Sequence, residues 1–262
     1  MHILLPPSET KRDGGQPLPL DLSGLSFSRL NPERRRVIRA LSALARDDSA
    51  SLKALKLGPK GAPEVARNRM LKQAPTLPAL ERYTGVLYDA LNAAELNPAD
   101  RARAGERVVI HSALFGLLGA DDLIPAYRLS HDSRLPELSL RRLWSVKLAR
   151  ELAAIPGLIL DLRSESYVAL GRAPLGERSA YLRVVTRGEG GQVRALNHFN
   201  KHAKGEFARS LLSLETAPQT LPDLIEAARS LGWALALAPA AEPDRPTELM
   251  LTIEAPAAPA GI

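Results

Sequence analysis

Arg107-Val108-Val109-Ile110-His111-Ser112-Ala113-Leu114-Phe115-Gly116-Leu117-Leu118 is the stretch on which the fold class turns. Its β-branched run through Val108, Val109 and Ile110 reads as a buried strand. That strand ends in small residues and glycine, which is where an α/β sheet usually holds a ligand. Runs of similar character recur at Ile3-Leu4-Leu5, at Gly157 to Leu162 and at Ala180 to Val185. Thr247, Leu249, Leu251 and Ile253 alternate along Thr247 to Glu254, the period of a further strand.

Helical patterns lie between these runs. Asn31-Pro32-Glu33 predicts an N-cap with Pro at the first helical position, and a helix to about Ala45. Val37, Leu41 and Leu44 form its apolar stripe, with Arg34, Arg35, Arg36 and Arg39 mostly outside it. Further helices are expected at Ser51 to Leu57, near Pro63 to Met70, and at Leu80 to Leu91. Another spans Glu137 to Ala153, with Leu138, Leu143, Val146 and Leu152 facing inward. Phe199, Ala203, Phe207 and Leu211 recur every four residues and mark a strongly amphipathic helix. Lys11 to Leu20 is a Gly/Pro-rich loop, and 255–262 is a Pro/Ala tail expected to be disordered. The class is mixed α/β: one compact domain over residues 1–254, with a central mixed sheet, helices around it and a basic helical insertion at about 29–92.

The 262 residues are 45% hydrophobic and 24% charged, which excludes a disordered or collagen-like chain. Cysteine is absent, so there is no disulfide framework, thiolate nucleophile, iron–sulfur cluster or cysteine zinc site. The opening apolar run is too short for a signal peptide, and no run of about 18 apolar residues exists to span a membrane. The expectation is a cytoplasmic protein with no membrane partner.

The net charge of +6 is unevenly spread. Arg29 to Arg82 holds 13 Lys and Arg against 5 Asp and Glu, so this segment carries the whole basic excess. Such a field attracts polyanions, nucleic acid above all, although a solvated helical surface explains the same charges. Within it, Leu57-Gly58-Pro59-Lys60-Gly61 reads as a tight turn between two short helices. Lys53, Lys56, Lys60, Arg67 and Arg69 surround that turn. Its backbone N–H groups suit a phosphate oxygen, and the cations suit neighbouring phosphates without reading bases. This is the logic of a helix–hairpin–helix DNA-binding element, with Gly58 and Gly61 bounding the turn.

Several patterns fail on inspection. Ser8-Glu9-Thr10-Lys11 fits S-x-x-K but follows a strand and lacks the partner elements of the serine enzymes that use it. His198 and His202 are four apart on a helix, without the glutamate or third ligand of a zinc site. Gly171 to Gly176 has the outer spacing of a phosphate loop, but Glu177 replaces its lysine. No cofactor and no metal are expected.

Two constellations remain. On the helix through Phe199, Lys201 and Lys204 are expected on the face opposite the apolar stripe, and His198, His202 and Arg209 on one flank. Gly205 in mid-helix costs about 1 kcal/mol against Ala, which suggests that something close by requires a bare backbone. After the Val108 strand, Asp122, Tyr127 and Arg128 supply an acid, a hydroxyl and a cation; an Asp–Arg structural ion pair accounts for them equally well.

Taken in order, the pieces resemble the YaaA family of peroxide-stress proteins. The resemblance is carried by Leu4-Leu5-Pro6-Pro7-Ser8-Glu9-Thr10-Lys11, by Arg82-Tyr83-Thr84-Gly85-Val86-Leu87-Tyr88 and by Ser112 to Leu118. It continues through Asp122-Leu123-Ile124-Pro125-Ala126-Tyr127-Arg128-Leu129, Trp144, Asp161 to Tyr167 and Lys201-His202-Ala203-Lys204-Gly205. The resemblance implies a cytosolic DNA-binding protein that limits oxidative DNA damage, partly by lowering available iron. It also implies one α/β unit with a positively charged cleft and a helix–hairpin–helix element. The cleft residues are then Ser8, Lys11, Tyr83, Gly85, Tyr88, Ser112, Asp122, Tyr127, Arg128, Lys201 and Lys204. Gly119 stands where many members have arginine, which removes one cleft cation. DNA is the expected partner, bound largely without sequence preference, and no catalytic residue carries over from the family. The rival expectation is an enzyme acting on DNA or a nucleotide-like ligand in that cleft.

Overall fold

Three of the four side chains in the first strand are buried, because it runs through the middle of a sheet covered on both faces. The computed structural model describes residues 1–187, 193–195, 197–239 and 246–254; the expected tail at 255–262 lies outside them. In chain order the strands are β1 (His2–Leu5), β2 (Thr76–Pro78), β3 (Val108–Ser112), β4 (Gly116–Gly119), β5 (Leu123–Pro125), β6 (Ile159–Asp161), β7 (Ser179–Arg187), β8 (Val193–Ala195), β9 (Ala234–Leu237) and β10 (Thr247–Glu254). The helices are α1 (Asn31–Leu44), α2 (Asp48–Ala54), α3 (Ala62–Arg69), α4 (Ala79–Arg82), α5 (Val86–Leu91), α6 (Pro98–Arg107), α7 (Leu140–Ala154), α8 (Glu165–Val168), α9 (Asn197–Leu212) and α10 (Leu221–Ser230).

The main sheet has the order β4-β3-β1-β6-β7-β10-β9, with β8 paired to β7. β3, β1, β6, β7 and β10 are mutually parallel, while β4, β8 and β9 add antiparallel edges. The architecture is therefore the mixed sheet that the sequence predicts. β2 and β5 form a separate two-stranded sheet. Helix side chains from the basic segment, among them Val37, Leu41 and Leu80, share one buried cluster with Leu4, Ile110 and Leu160 of the sheet.

Several local expectations are corrected. Leu30 rather than Asn31 occupies the N-cap of α1; the Asn31 amide donates to the Leu22 carbonyl and accepts from Arg34. Arg34 is fully buried, not outside the stripe, because its guanidinium donates to the carbonyls of Phe115, Leu117 and Ser26. The helix predicted over Leu80 to Leu91 is broken into α4 and α5, since Gly85 adopts φ +94°. In α7 the buried stripe is Leu140, Trp144, Leu148 and Leu152, whereas Val146 is 75% exposed. Trp144 satisfies its indole N–H on the Ala113 carbonyl at 2.9 Å, which ties α7 to the turn after β3. Helix α6 has an N-cap Asn97 whose side chain accepts from Asp100 N, followed by Pro98. The apolar periodicity does not anticipate this helix.

Candidate functional site

Parallel neighbours β1 and β6 leave the sheet at the same end. Pro6 to Thr10 follows β1, and Leu162 to Tyr167 follows β6. These segments, with α5, α9 and the loop Leu129–His131, enclose a cavity of about 820 Å³. It opens at the carboxyl ends of parallel strands, although not at the end of the Val108 strand, where the sequence argument put a ligand: no residue of 108–118 lines it.

Ser8, Gly85, Tyr88, Lys201 and Lys204 line this cavity. Tyr88 is held by donating to the Pro6 carbonyl at 2.7 Å. Gly85 is required twice over, by its positive φ and because a Cβ would stand 3.1 Å from Thr10 Oγ1 and 3.3 Å from Ser8 Oγ. Lys201 is exposed, but Lys204 turns inward and is only 5% exposed, contrary to its expected place opposite the stripe. Its Nζ donates to the Leu162 carbonyl at 3.1 Å and lies 5.2 Å from the centre of the Tyr181 ring. Burial pulls the Lys204 ammonium down to about 8; the Asp161 carboxylate opposes that shift, and Arg183 reinforces it.

A second set forms a buried layer outside the cavity lining. Lys11 donates to the carbonyls of Ser8 at 2.8 Å and Glu9 at 3.3 Å, and lies 4.2 Å from the Tyr127 ring centre. Burial and then the Arg128 guanidinium pull it down to about 7. Tyr83 and Tyr127 share a hydrogen bond of 2.7 Å, as do Tyr127 and Ser112. Ser112 Oγ already accepts from the backbone N–H groups of Leu114 and Phe115. Its hydrogen therefore goes to Tyr127, whose own hydrogen goes on to Tyr83. Burial is the main cause that raises both phenols, Tyr127 to about 12, so they stay neutral hydrogen-bonding groups.

Asp122 and Arg128 do not join that layer as expected. The Asp122 carboxylate accepts from Ser26 N and Oγ and from Gly119 N, pinning one loop to another away from the cavity. Burial raises it despite these bonds. Arg128 pairs with Glu9 at 2.8 Å, so the anticipated Asp122–Arg128 pair does not form. Gly119 faces Ser26 Oγ, 2.8 Å from where a Cβ would stand, and lies outside the cavity lining.

The basic hairpin is α2, a turn, and α3. Lys56 carries the left-handed residue of the turn at φ +54° and is bound to Asp132 at 2.6 Å. Arg67 pairs with Asp13 and Glu64, and Arg69 with Asp48. Gly61 is needed for packing, since a Cβ would stand 2.6 Å from that of Leu57, whereas Gly58 has open space around it. Lys53 and Lys60 are exposed and have no ion pair among the described residues. The hairpin is also bolted to the cavity loop: the Asn68 side chain donates to the Arg128 carbonyl at 2.9 Å and accepts from its N–H at 2.8 Å.

The family model described as "Peroxide stress protein YaaA" matches residues 1–236. This chain belongs to the YaaA family of peroxide stress proteins. A "UPF0246 protein" of Corynebacterium glutamicum is 42% identical over 237 residues, covering 88% of this chain and 93% of that protein. Another, from Streptomyces coelicolor, is 40% identical over 253 residues, covering 95% and 97%. A more distant relative from Campylobacter jejuni, described as uncharacterized, is 30% identical over 172 residues, covering 64% of this chain and 69% of that protein.

In this member of the YaaA family, the sequence reading missed a set of buried charged and polar groups outside the cavity lining, and one residue of the lining itself. Arg163 and Asp161 form an ion pair of 2.7 Å at 0% and 4% exposure. Arg163 also holds His111 Nδ1 at 2.9 Å and donates to the Gly171 carbonyl at 2.8 Å. His111 is held neutral, first by burial and then by that guanidinium. Arg82, equally buried, donates to four carbonyls, those of Ile124, Arg12, Gly14 and Pro75. Asn200 lines the cavity, and its buried Oδ1 has no partner among the described residues. Its position one turn before Lys204 was a signal in the sequence, but an amide on a helix says nothing until its surroundings are known. His202 is exposed beside Glu206, and the His198 side chain lies outside the described residues. Among the described residues there is no group of three or more His, Asp or Glu able to hold a metal, and no helix long and apolar enough to cross a membrane.

Proposed function

We propose that this chain is a cytosolic DNA-binding protein of the response to hydrogen peroxide, limiting DNA damage and available intracellular iron. Membership of the family supports the stress role, and one structural observation supports the DNA role. Within 29–82, eight cations are exposed and have no ion pair among the described residues, Arg35, Arg36 and Arg39 on α1 and Lys53 and Lys60 on the hairpin among them. Arg34 and Arg82 are buried, and Lys56, Arg67 and Arg69 are paired, so they add less to the external field. Solvated cations of this kind bind phosphates by releasing counterions, and they carry no base readout. The helix–hairpin–helix role of α2 and α3 belongs to the same proposal.

The test is fluorescence anisotropy with labelled duplex, single-stranded and junction DNA across a salt series. Binding should weaken steeply with salt. Replacing Arg35, Arg36, Arg39, Lys53 and Lys60 by Gln should flatten the log–log slope by about 0.9 for each phosphate that is no longer neutralised. Wild-type affinity and slope in that variant overturn the assignment of this surface. For iron, removing the protein from cells should raise chelatable iron, and an unchanged iron pool overturns that part alone.

A further inference from the structure

Among the described residues, Lys204 is the one lysine side chain that is both buried and part of the cavity wall. Lys11, the other buried lysine, is saturated by two carbonyls and two phenol rings and lies outside that wall. Lys204 has a single acceptor, Leu162 O at 3.1 Å, and no carboxylate within ion-pair distance among the described residues. Asp161 is occupied by Arg163, and Glu165 by Arg183, which also holds Glu248. One turn earlier on α9, Asn200 offers to the same cavity a buried amide oxygen without a partner among the described residues. At its rim, Lys201 is an exposed cation with no ion pair among the described residues.

We propose that the cavity is an imine-forming site, in which Lys204 Nζ condenses with the carbonyl of a phosphorylated aldehyde, Asn200 accepts from a ligand hydroxyl and Lys201 meets the phosphate. A neutral amine uses one N–H on Leu162 and keeps its lone pair for attack. The lone pair forms a C–N bond while the carbonyl π pair moves to oxygen. That oxygen takes a proton and nitrogen loses one, giving the carbinolamine. The C–OH bond then breaks, hydroxide leaves with a proton as water, and the nitrogen pair closes the C=N bond. Solvent in the open cavity supplies and removes these protons, and no redox partner is required. Desolvation, reinforced by the Arg183 guanidinium on β7, makes the neutral amine accessible near neutral pH against the facing carboxylates of Asp161 on β6 and Glu165 on α8. The phosphorylated aldehyde has two sources with shared chemistry, a free sugar phosphate or an abasic site in DNA.

The full chain is incubated separately with 2-deoxyribose 5-phosphate, with a duplex carrying one abasic site, and with propanal. Each mixture is reduced with borohydride and mapped by peptide mass spectrometry over the eight lysines. The proposal expects a secondary-amine adduct on Lys204 in excess of any exposed lysine by roughly tenfold or more at pH 7, because its neutral fraction is larger. Both phosphorylated probes should exceed propanal, and their ratio tells the free sugar from DNA. Lys204→Arg should abolish the dominant adduct, and Lys201→Met should remove the preference for phosphate. Adducts spread evenly over the exposed lysines of the wild-type protein overturn the proposal, whether or not any variant folds. Because the sugar phosphate and propanal arms require no DNA binding, they stand apart from the anisotropy result.

Discussion

The hairpin between α2 and α3 and the cavity wall on α9 both present lysines, but in surroundings that differ in kind. Lys53 and Lys60 stand in water, where a cation keeps its hydration and acts at a distance through its field. Lys204 and Lys11 are stripped of water, and burial pushes both toward the neutral amine. One residue type therefore serves as a source of field where it is solvated and, at Lys204 and Lys11, as an amine that gives up its proton more readily than a lysine in water. Net charge counts the two alike, although only the first kind stands in solvent where a polyanion can reach it.

Three changes would break or sharpen this contrast. The largest effect is expected on the buried side. Arg163→Ala leaves the Asp161 carboxylate buried without its partner, and denaturant unfolding should show a loss of about 3–5 kcal/mol. A loss no greater than that of a surface substitution would mean that Asp161 finds water, and that the wall beside Lys204 is wetter than its burial implies.

A middle effect follows from protonation. The folded-state pKa of Lys204, about 8, lies below the unfolded value of roughly 10.4, so the native state binds fewer protons between the two. Wild-type stability should therefore rise with pH through that window on account of this group. Lys204→Met should be more stable than wild type at pH 7, with the advantage shrinking as pH climbs past 8. Parallel stability curves for the two proteins would show that Lys204 is charged and solvated, and the contrast with Lys53 would vanish.

The smallest effect belongs to the hairpin. Lys56→Gln removes an exposed ion pair and should change stability by only about 0–1 kcal/mol. The Asp132 carboxyl, held at about 2 chiefly by the Lys56 hydrogen bond, should move up toward the usual range, followed by carbon-13 NMR. An unmoved Asp132 would assign its shift to Ser130 instead.

Periodicity made much of the fold legible. β1, β3, β6 and β7 stand close to where apolar runs put them, because a covered parallel strand is apolar on both faces, and β10 stands where the alternation of a half-covered strand put it. The break at Gly85 was hidden because Leu80, Leu87 and Leu91 keep a helical rhythm across it, and the positive φ of a single glycine leaves no mark on that rhythm. Buried cations were the least legible. A helical wheel assigns Arg34 and Lys204 to water by residue type, but their partners are main-chain carbonyls from distant segments, which carry no sequence signature. The same blindness hid the pair Arg163–Asp161 and left Asp122 among the cleft residues, although it clamps Ser26.

The bare backbone at Gly205 has a consequence for what the protein can admit. A Cβ there would overlap the Leu87 carbonyl oxygen, so α5 and α9 meet main chain to main chain. Leu87 and Tyr88 on α5 line the cavity, and so do Asn200, Lys201 and Lys204 on α9. No compressible side chain separates the two helices at their crossing, so their spacing is set by covalent geometry and hard-sphere contact. Rotamers can reshape the walls, but the seam between the two helices keeps its spacing. Changes in the shape of the cavity are thus left to its side chains and to the loops after β1 and β6.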